Sequence, residues 1–160
     1  MKNYLLLMSV GLGLLACQKS DQDAVASPKA ISTAFGQDFT LAYQQSAHLP
    51  STQQPELTIN VADIKYTYCP PVSCSNNPSL TCLVGTYVYP VLSIMDAAGR
   101  TQQVQLPANQ PAATTPAWLD TTSVRANGRR YLLHYVNWQL NTCNPQREDI
   151  AVTLRVTSPL

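Results

Sequence analysis

The sequence predicts an all-β fold: an antiparallel, immunoglobulin-like β-sandwich of about seven strands, with a small β-barrel as the alternative. Three observations lead there. Apolar residues recur with a period of two in most of the chain beyond residue 35, turn residues punctuate these runs at short intervals, and no segment carries an apolar stripe of helical period.

The elements follow in order. A first short strand is expected over 38–43. In "ELTINVADIKYTY", 56–68, Leu57, Ile59 and Val61 share one face, and the phase then shifts so that Ile64, Tyr66 and Tyr68 continue it, which predicts a bulge near Ala62 and Asp63. "LVGTYVYPVLSIMD", 83–96, is apolar in both phases, and Pro90 argues for an edge or a break because it has no amide to donate. Ala97-Ala98-Gly99 separates this run from a strand over 100–106, and a Pro-rich connection over 107–118 follows. Asn127-Gly128 lies between runs over 121–126 and 129–140, and both residues tolerate the positive φ of a type I′ hairpin turn. Ile150, Val152, Leu154 and Val156 alternate with Ala151, Thr153, Arg155 and Thr157, so 148–157 closes the fold as a half-buried strand.

Charge narrows the partners. The chain has a formal net charge of +1, and from residue 35 onward it carries seven basic and seven acidic side chains. A neutral domain offers no electrostatic case for nucleic acid. Arg125, Arg129 and Arg130 cluster around one turn, and solvated charges guarding a hairpin are the expected reading of such a group.

The leader "MKNYLLLMSVGLGLLAC" places Lys2 before a mostly apolar run over 5–16, too short for a membrane-spanning helix, which needs about 20 apolar residues. It reads as a secretory signal peptide over 1–16. Its end, Leu14-Leu15-Ala16-Cys17, resembles the lipobox of bacterial lipoproteins. That resemblance implies cleavage before Cys17, a diacylglycerol on its sulfur and an acyl chain such as palmitate on its amino group. Two or more chains suffice for stable anchoring at about 0.8 kcal/mol per buried methylene. Residues 17–34 then form the lipidated cysteine and a polar, flexible tether, and 35–160 form the single domain. The tether's first residues, "QKSDQD", resemble the short acidic export signals of surface-displayed lipoproteins. The expected location is the bacterial cell envelope, in the outer membrane, at its periplasmic face or at the cell surface. The lipid bilayer is the first partner.

Four cysteines remain, Cys69, Cys74, Cys82 and Cys143, an even number in an exported domain. Two disulfides are expected, since no C-x-x-C knuckle supports zinc or a redox pair. Cys69 with Cys74 and Cys82 with Cys143 is the expected pairing, and the other two connectivities stay open. "DIKYTYCPPVSC" also resembles the Cys-Pro…Cys turn of small β-sandwich lipoproteins of unassigned function. This second resemblance implies a fold and an anchor, with no catalytic residue to carry over.

Catalytic constellations are scarce. His48 reads as a surface histidine in a Pro-flanked loop and His134 as a packed strand histidine. Glu148, Asp149, Asp63, Asp96 and Asp120 can flank a glycosidic bond only if the fold pairs them. No nucleophile elbow, H-E-x-x-H or phosphate loop is present. The expected function is a non-catalytic binding or interaction module without cofactor or metal. Its ligand is a glycan or a protein, met by Tyr66, Tyr68, Tyr87, Tyr89, Tyr135, Trp138 or Trp118 if these are not simply cross-strand packing. An inhibitor of an enzyme such as lysozyme is the alternative, and an envelope hydrolase the third.

Overall fold

In a computed structural model, residues 28–70, 74, 85–107, 120–140 and 142–158 are described. They form nine strands: β1 (Ile31–Ser32), β2 (Asp38–Ala42), β3 (Ser46–Leu49), β4 (Leu57–Thr67), β5 (Tyr87–Asp96), β6 (Thr101–Gln105), β7 (Asp120–Ala126), β8 (Arg129–Leu140) and β9 (Ile150–Thr157). A 3-10 turn, Arg147–Asp149, precedes β9. One sheet has the order β1-β3-β4-β5-β6 and the other β2-β9-β8-β7. All pairings are antiparallel except β1 with β3, which is parallel. The two sheets pack face to face as a sandwich and do not close into a barrel. Among the described residues, no helix is long and apolar enough to cross a membrane.

Alternation builds the core. Ile150, Val152, Leu154 and Val156 of β9 are buried and meet Leu57, Ile59 and Val61 of β4, Leu92 and Ile94 of β5, and Tyr131, Leu133 and Tyr135 of β8 in one cluster. The register shift between Val61 and Asp63 is the bulge that the phase change demanded, and it returns Ile64 to the core at 2% exposure. A second shift lies between Tyr135 and Asn137 in β8.

Four expectations change. Pro90 is neither at an edge nor at a break: it is buried in β5, an interior strand, opposite Ile64. Its carbonyl accepts from Leu106 N at 2.9 Å, so its nitrogen, which points the same way, faces the end of β6 rather than β4. The missing donor thus terminates β6, whose last paired residue is Gln105. His48 is in strand β3, not in a loop, and its Nδ1 lies 3.1 Å from Thr58 Oγ1 across the β3–β4 ladder. Ala47 and Leu49 give β3 only two buried positions, too short an alternation to read as a strand. Finally, β1 adds its two residues to the sheet from within the segment read as tether.

The cysteine pairing is the fourth correction. Cys74 is bonded to Cys143, with their Cα atoms 5.2 Å apart, and not to Cys69. Cys69 is itself disulfide-bonded. A bridge from Cys69 to Cys74 requires the chain to turn back at once, yet Cys69 and Pro70 each precede a proline and are held extended by it. The backbone of Cys69 moreover continues the β4–β5 edge, its N donating to Thr86 Oγ1 at 3.0 Å and its O accepting from it at 3.2 Å. Cys74 lies beside Cys143, just beyond the end of β8. Cys17 and Cys82 lie outside the described residues.

Candidate functional site

One pole of the sandwich gathers three connections: β3 to β4, β5 to β6 and β7 to β8. Asp96, at the end of β5, organises the second. Its Oδ1 accepts from the backbone N of Ala98 at 3.0 Å and of Arg100 at 2.9 Å, while Oδ2 accepts from Arg100 Nε at 2.8 Å. Gly99, with φ of 78°, lets the chain reverse within this carboxylate's reach. The Arg100 side-chain bond lowers the Asp96 carboxyl below its ordinary range, against the desolvation that raises it.

Asn127 and Gly128 have φ of 53° and 72°, the type I′ geometry expected of the β7–β8 hairpin. The Asn127 side chain then joins all three connections: Ala97 N donates to its Oδ1 at 3.0 Å, and its Nδ2 donates to Glu56 O at 2.8 Å. Tyr131 Oη donates to Glu56 Oε2 at 3.0 Å beneath them, and Phe35 stacks on the Tyr131 ring at 5.6 Å. The pole is therefore a fixed surface.

Four arginines converge on it. Arg100, Arg125, Arg129 and Arg130 line an open cleft of about 690 Å³ whose other walls include Thr101 and Gln102. Gln102 Nε2 donates to Arg125 O at 2.8 Å, holding edge strand β6 of one sheet against edge strand β7 of the other. Arg125 lies directly opposite Arg130 in the β7–β8 ladder. Asp96 is the one carboxylate among the described residues of the cleft, and it is committed to Arg100 at 2.7 Å. Arg130 Nη2 donates to the hydroxyl of Ser123 at 2.9 Å. This arrangement can hold an anion, and among the described residues no cleft wall supplies a nucleophile with an adjacent base.

Elsewhere the fold separates or occupies the sequence candidates. Asp63 and Glu148 do share a cleft of about 580 Å³ at the opposite pole, but Arg147 lies between them and binds Asp63 at 2.9 Å. Asp149 Oδ2 accepts from Gln146 N at 2.8 Å as a cap of the 3-10 turn. His134 lies on the outer face of the second sheet, its Nδ1 3.1 Å from Thr121 Oγ1 and its Nε2 3.5 Å from Thr157 Oγ1. Desolvation lowers its pKa, and the charge of Arg155 adds to the effect. Among the described residues, no group of three or more His, Cys, Asp or Glu converges to hold a metal ion.

Among the described residues the aromatic side chains form no exposed row. Tyr66 and Tyr68 donate to Pro145 O at 2.8 Å and Thr142 O at 3.4 Å, Tyr135 is buried with its hydroxyl on Val88 O at 3.0 Å, and Trp138 packs against the core. Tyr87 is exposed, with Tyr89 beside it at 6.4 Å and tilted by 34°. Trp118 lies outside the described residues. What the sequence reading missed is the arrival of Arg100 beside the hairpin arginines. The available signal was parity: successive antiparallel strands bring their turns to alternate poles. Comparison with family models, with curated proteins and with solved structures finds no match for this chain.

Proposed function

We propose that the chain is a lipid-anchored protein of the bacterial cell envelope whose sandwich is a non-catalytic binding module. The observation that carries this reading is the fixed pole at which three connections are tied together around an open, arginine-walled cleft. A rigid, cationic surface without an adjacent nucleophile and base suits recognition better than turnover. The lipobox resemblance at Leu14-Leu15-Ala16-Cys17 supports the anchor.

Chain direction supports the same reading. β1 runs parallel to β3, toward Leu49 and so toward the arginine pole. The chain consequently enters the sandwich from the other side, with Lys29 O held by Gln45 Nε2 at 2.8 Å. A lipid on Cys17 would tether the chain by the side of the sandwich opposite the arginine pole. Fully extended, the residues between Cys17 and β1 span roughly 45 Å, at about 3.5 Å per residue.

Cys17→Ser tests the anchor. The native chain is expected in the membrane fraction with an acylated N-terminal cysteine by mass spectrometry, and the variant in the soluble fraction without the acyl mass. A variant that remains membrane-bound would refute lipid anchoring at this residue.

A further inference from the structure

We infer that Arg125, Arg129 and Arg130, with Arg100, bind the acidic groups of an anionic glycan; this rests on the binding-module reading and names the ligand class of its cleft. Arg125 and Arg130 are directly opposed on neighbouring strands, and like charges in that position destabilise a ladder. None of Arg125, Arg129 and Arg130 forms a salt bridge with a carboxylate among the described residues. An oxyanion set between them turns this repulsion into paired attraction. Arginine suits that task because its planar fork gives two parallel hydrogen bonds to one carboxylate, sulfate or phosphate.

The shape of the cleft chooses among anions. Its volume of about 690 Å³ lies within the range of pockets that take drug-sized ligands, about 300–1,000 Å³, and is more than one tetrahedral oxyanion needs. Thr101 and Gln102 supply neutral polar groups for sugar hydroxyls beside the cationic wall. Among the described residues no aromatic ring lines the cleft as a stacking platform for single-stranded nucleic acid. The remaining surface has no basic excess to follow a duplex. β1 runs toward this pole, so the chain enters the sandwich at the opposite side, and an anionic glycan is the occupant that the charge and size of the cleft favour.

The test uses the full chain in neutral detergent at fixed salt near 0.15 M, where exposed charges more than about 8 Å apart are largely screened. The probes are oligogalacturonate, sulfated dextran, neutral dextran, inorganic sulfate and duplex DNA. We expect at least one of the two acidic glycans to bind and neutral dextran not to. The triple variant Arg125→Gln, Arg129→Gln, Arg130→Gln should bind at least about tenfold more weakly. Its melting temperature should be unchanged or higher, because the three side chains are exposed and the opposed pair is relieved. The corresponding triple lysine variant keeps the charge and loses the fork, and should bind at least about threefold more weakly. The proposal is overturned if neither acidic glycan binds, if the glutamine variant binds as well as the native chain, or if DNA or inorganic sulfate binds as tightly as the glycan. Reducing ends are counted in the same samples. Glycan that is bound and shortened would refute the non-catalytic reading while leaving the arginine assignment intact, whereas absent binding with an intact anchor refutes the assignment alone.

Discussion

At Asn127 the backbone needs a positive φ and three connections need a shared hydrogen-bonding group. Asparagine meets both demands, since its short side chain tolerates the left-handed region and offers a donor and an acceptor in one plane. Asn127→Ala should lose both bonds and strain the turn, at a combined cost of about 2–3 kcal/mol. Asn127→Gly keeps the turn and loses only the bonds, and should cost about 1–2 kcal/mol. Urea unfolding of the two variants separates the contributions; a glycine variant as stable as the native chain would show that the side-chain ties contribute nothing. Asn-Gly announced its turn because positive φ is a local demand. Its grip on Glu56 and Ala97 was not legible, because sequence does not state which distant turns share a pole. The arginines follow the same rule: the hairpin trio stood out by proximity in the chain, and Arg100 joined it only through the fold.

Among the elements, long alternation was readable and short alternation was not. β9, with four buried aliphatic residues in phase, and β4, whose phase change located its own bulge, follow directly from the pattern. β3 leaves Ser46 and His48 half-buried and buries Ala47 and Leu49, and four residues beside a proline carry too little periodicity to distinguish a strand from a loop. Pro90 misled because a missing amide matters only on the side that would have accepted it. The disulfide was misread for a related reason: nearness in sequence suggested Cys69 with Cys74, while the direction of the strand and the two prolines carried Cys74 to the end of β8. Non-reducing peptide mapping should yield a peptide linking Cys74 to Cys143, and a peptide linking Cys69 to Cys74 would refute this topology of the pole. The sequence separation of 69 makes this a long-range staple. By the chain-entropy estimate its loss in Cys74→Ser, Cys143→Ser should lower stability by about 4 kcal/mol before any strain in the native state is subtracted.

On the acid side the molecule responds to pH through three groups, among the described residues, whose pKa values fall on folding. Asp96 is lowered first by its hydrogen bond to Arg100, and Asp38 first by its bond to Arg155, which it meets through both carboxylate oxygens at 2.6 and 3.0 Å. His134 is lowered chiefly by desolvation and then by Arg155, with Asp38 opposing. In each case the unfolded chain takes up its proton at a higher pH than the folded one, so acid favours unfolding. The two carboxylates contribute stability above their ordinary value of 3.8 and lose it as pH falls through their lower folded values. The histidine begins to cost stability as pH drops below 6.5 and ceases to add cost once the folded ring is also protonated. Desolvation of the ring sets most of that first step, and Arg155 and Asp38 act on it in opposite directions, with Thr121 and Thr157 beside the two ring nitrogens. The melting temperature should therefore fall in two stages, a shallow one beginning near 6.5 and a steeper one beginning near 3.8. His134→Gln should remove the first stage and keep the second, while Asp38→Asn should shrink the second and enlarge the first, because it removes a charge that favours the protonated ring. A melting temperature that rises as the pH falls from neutrality toward 5 would show that the ring gains rather than loses affinity for its proton on folding, contrary to its placement between Arg155 and the two threonines.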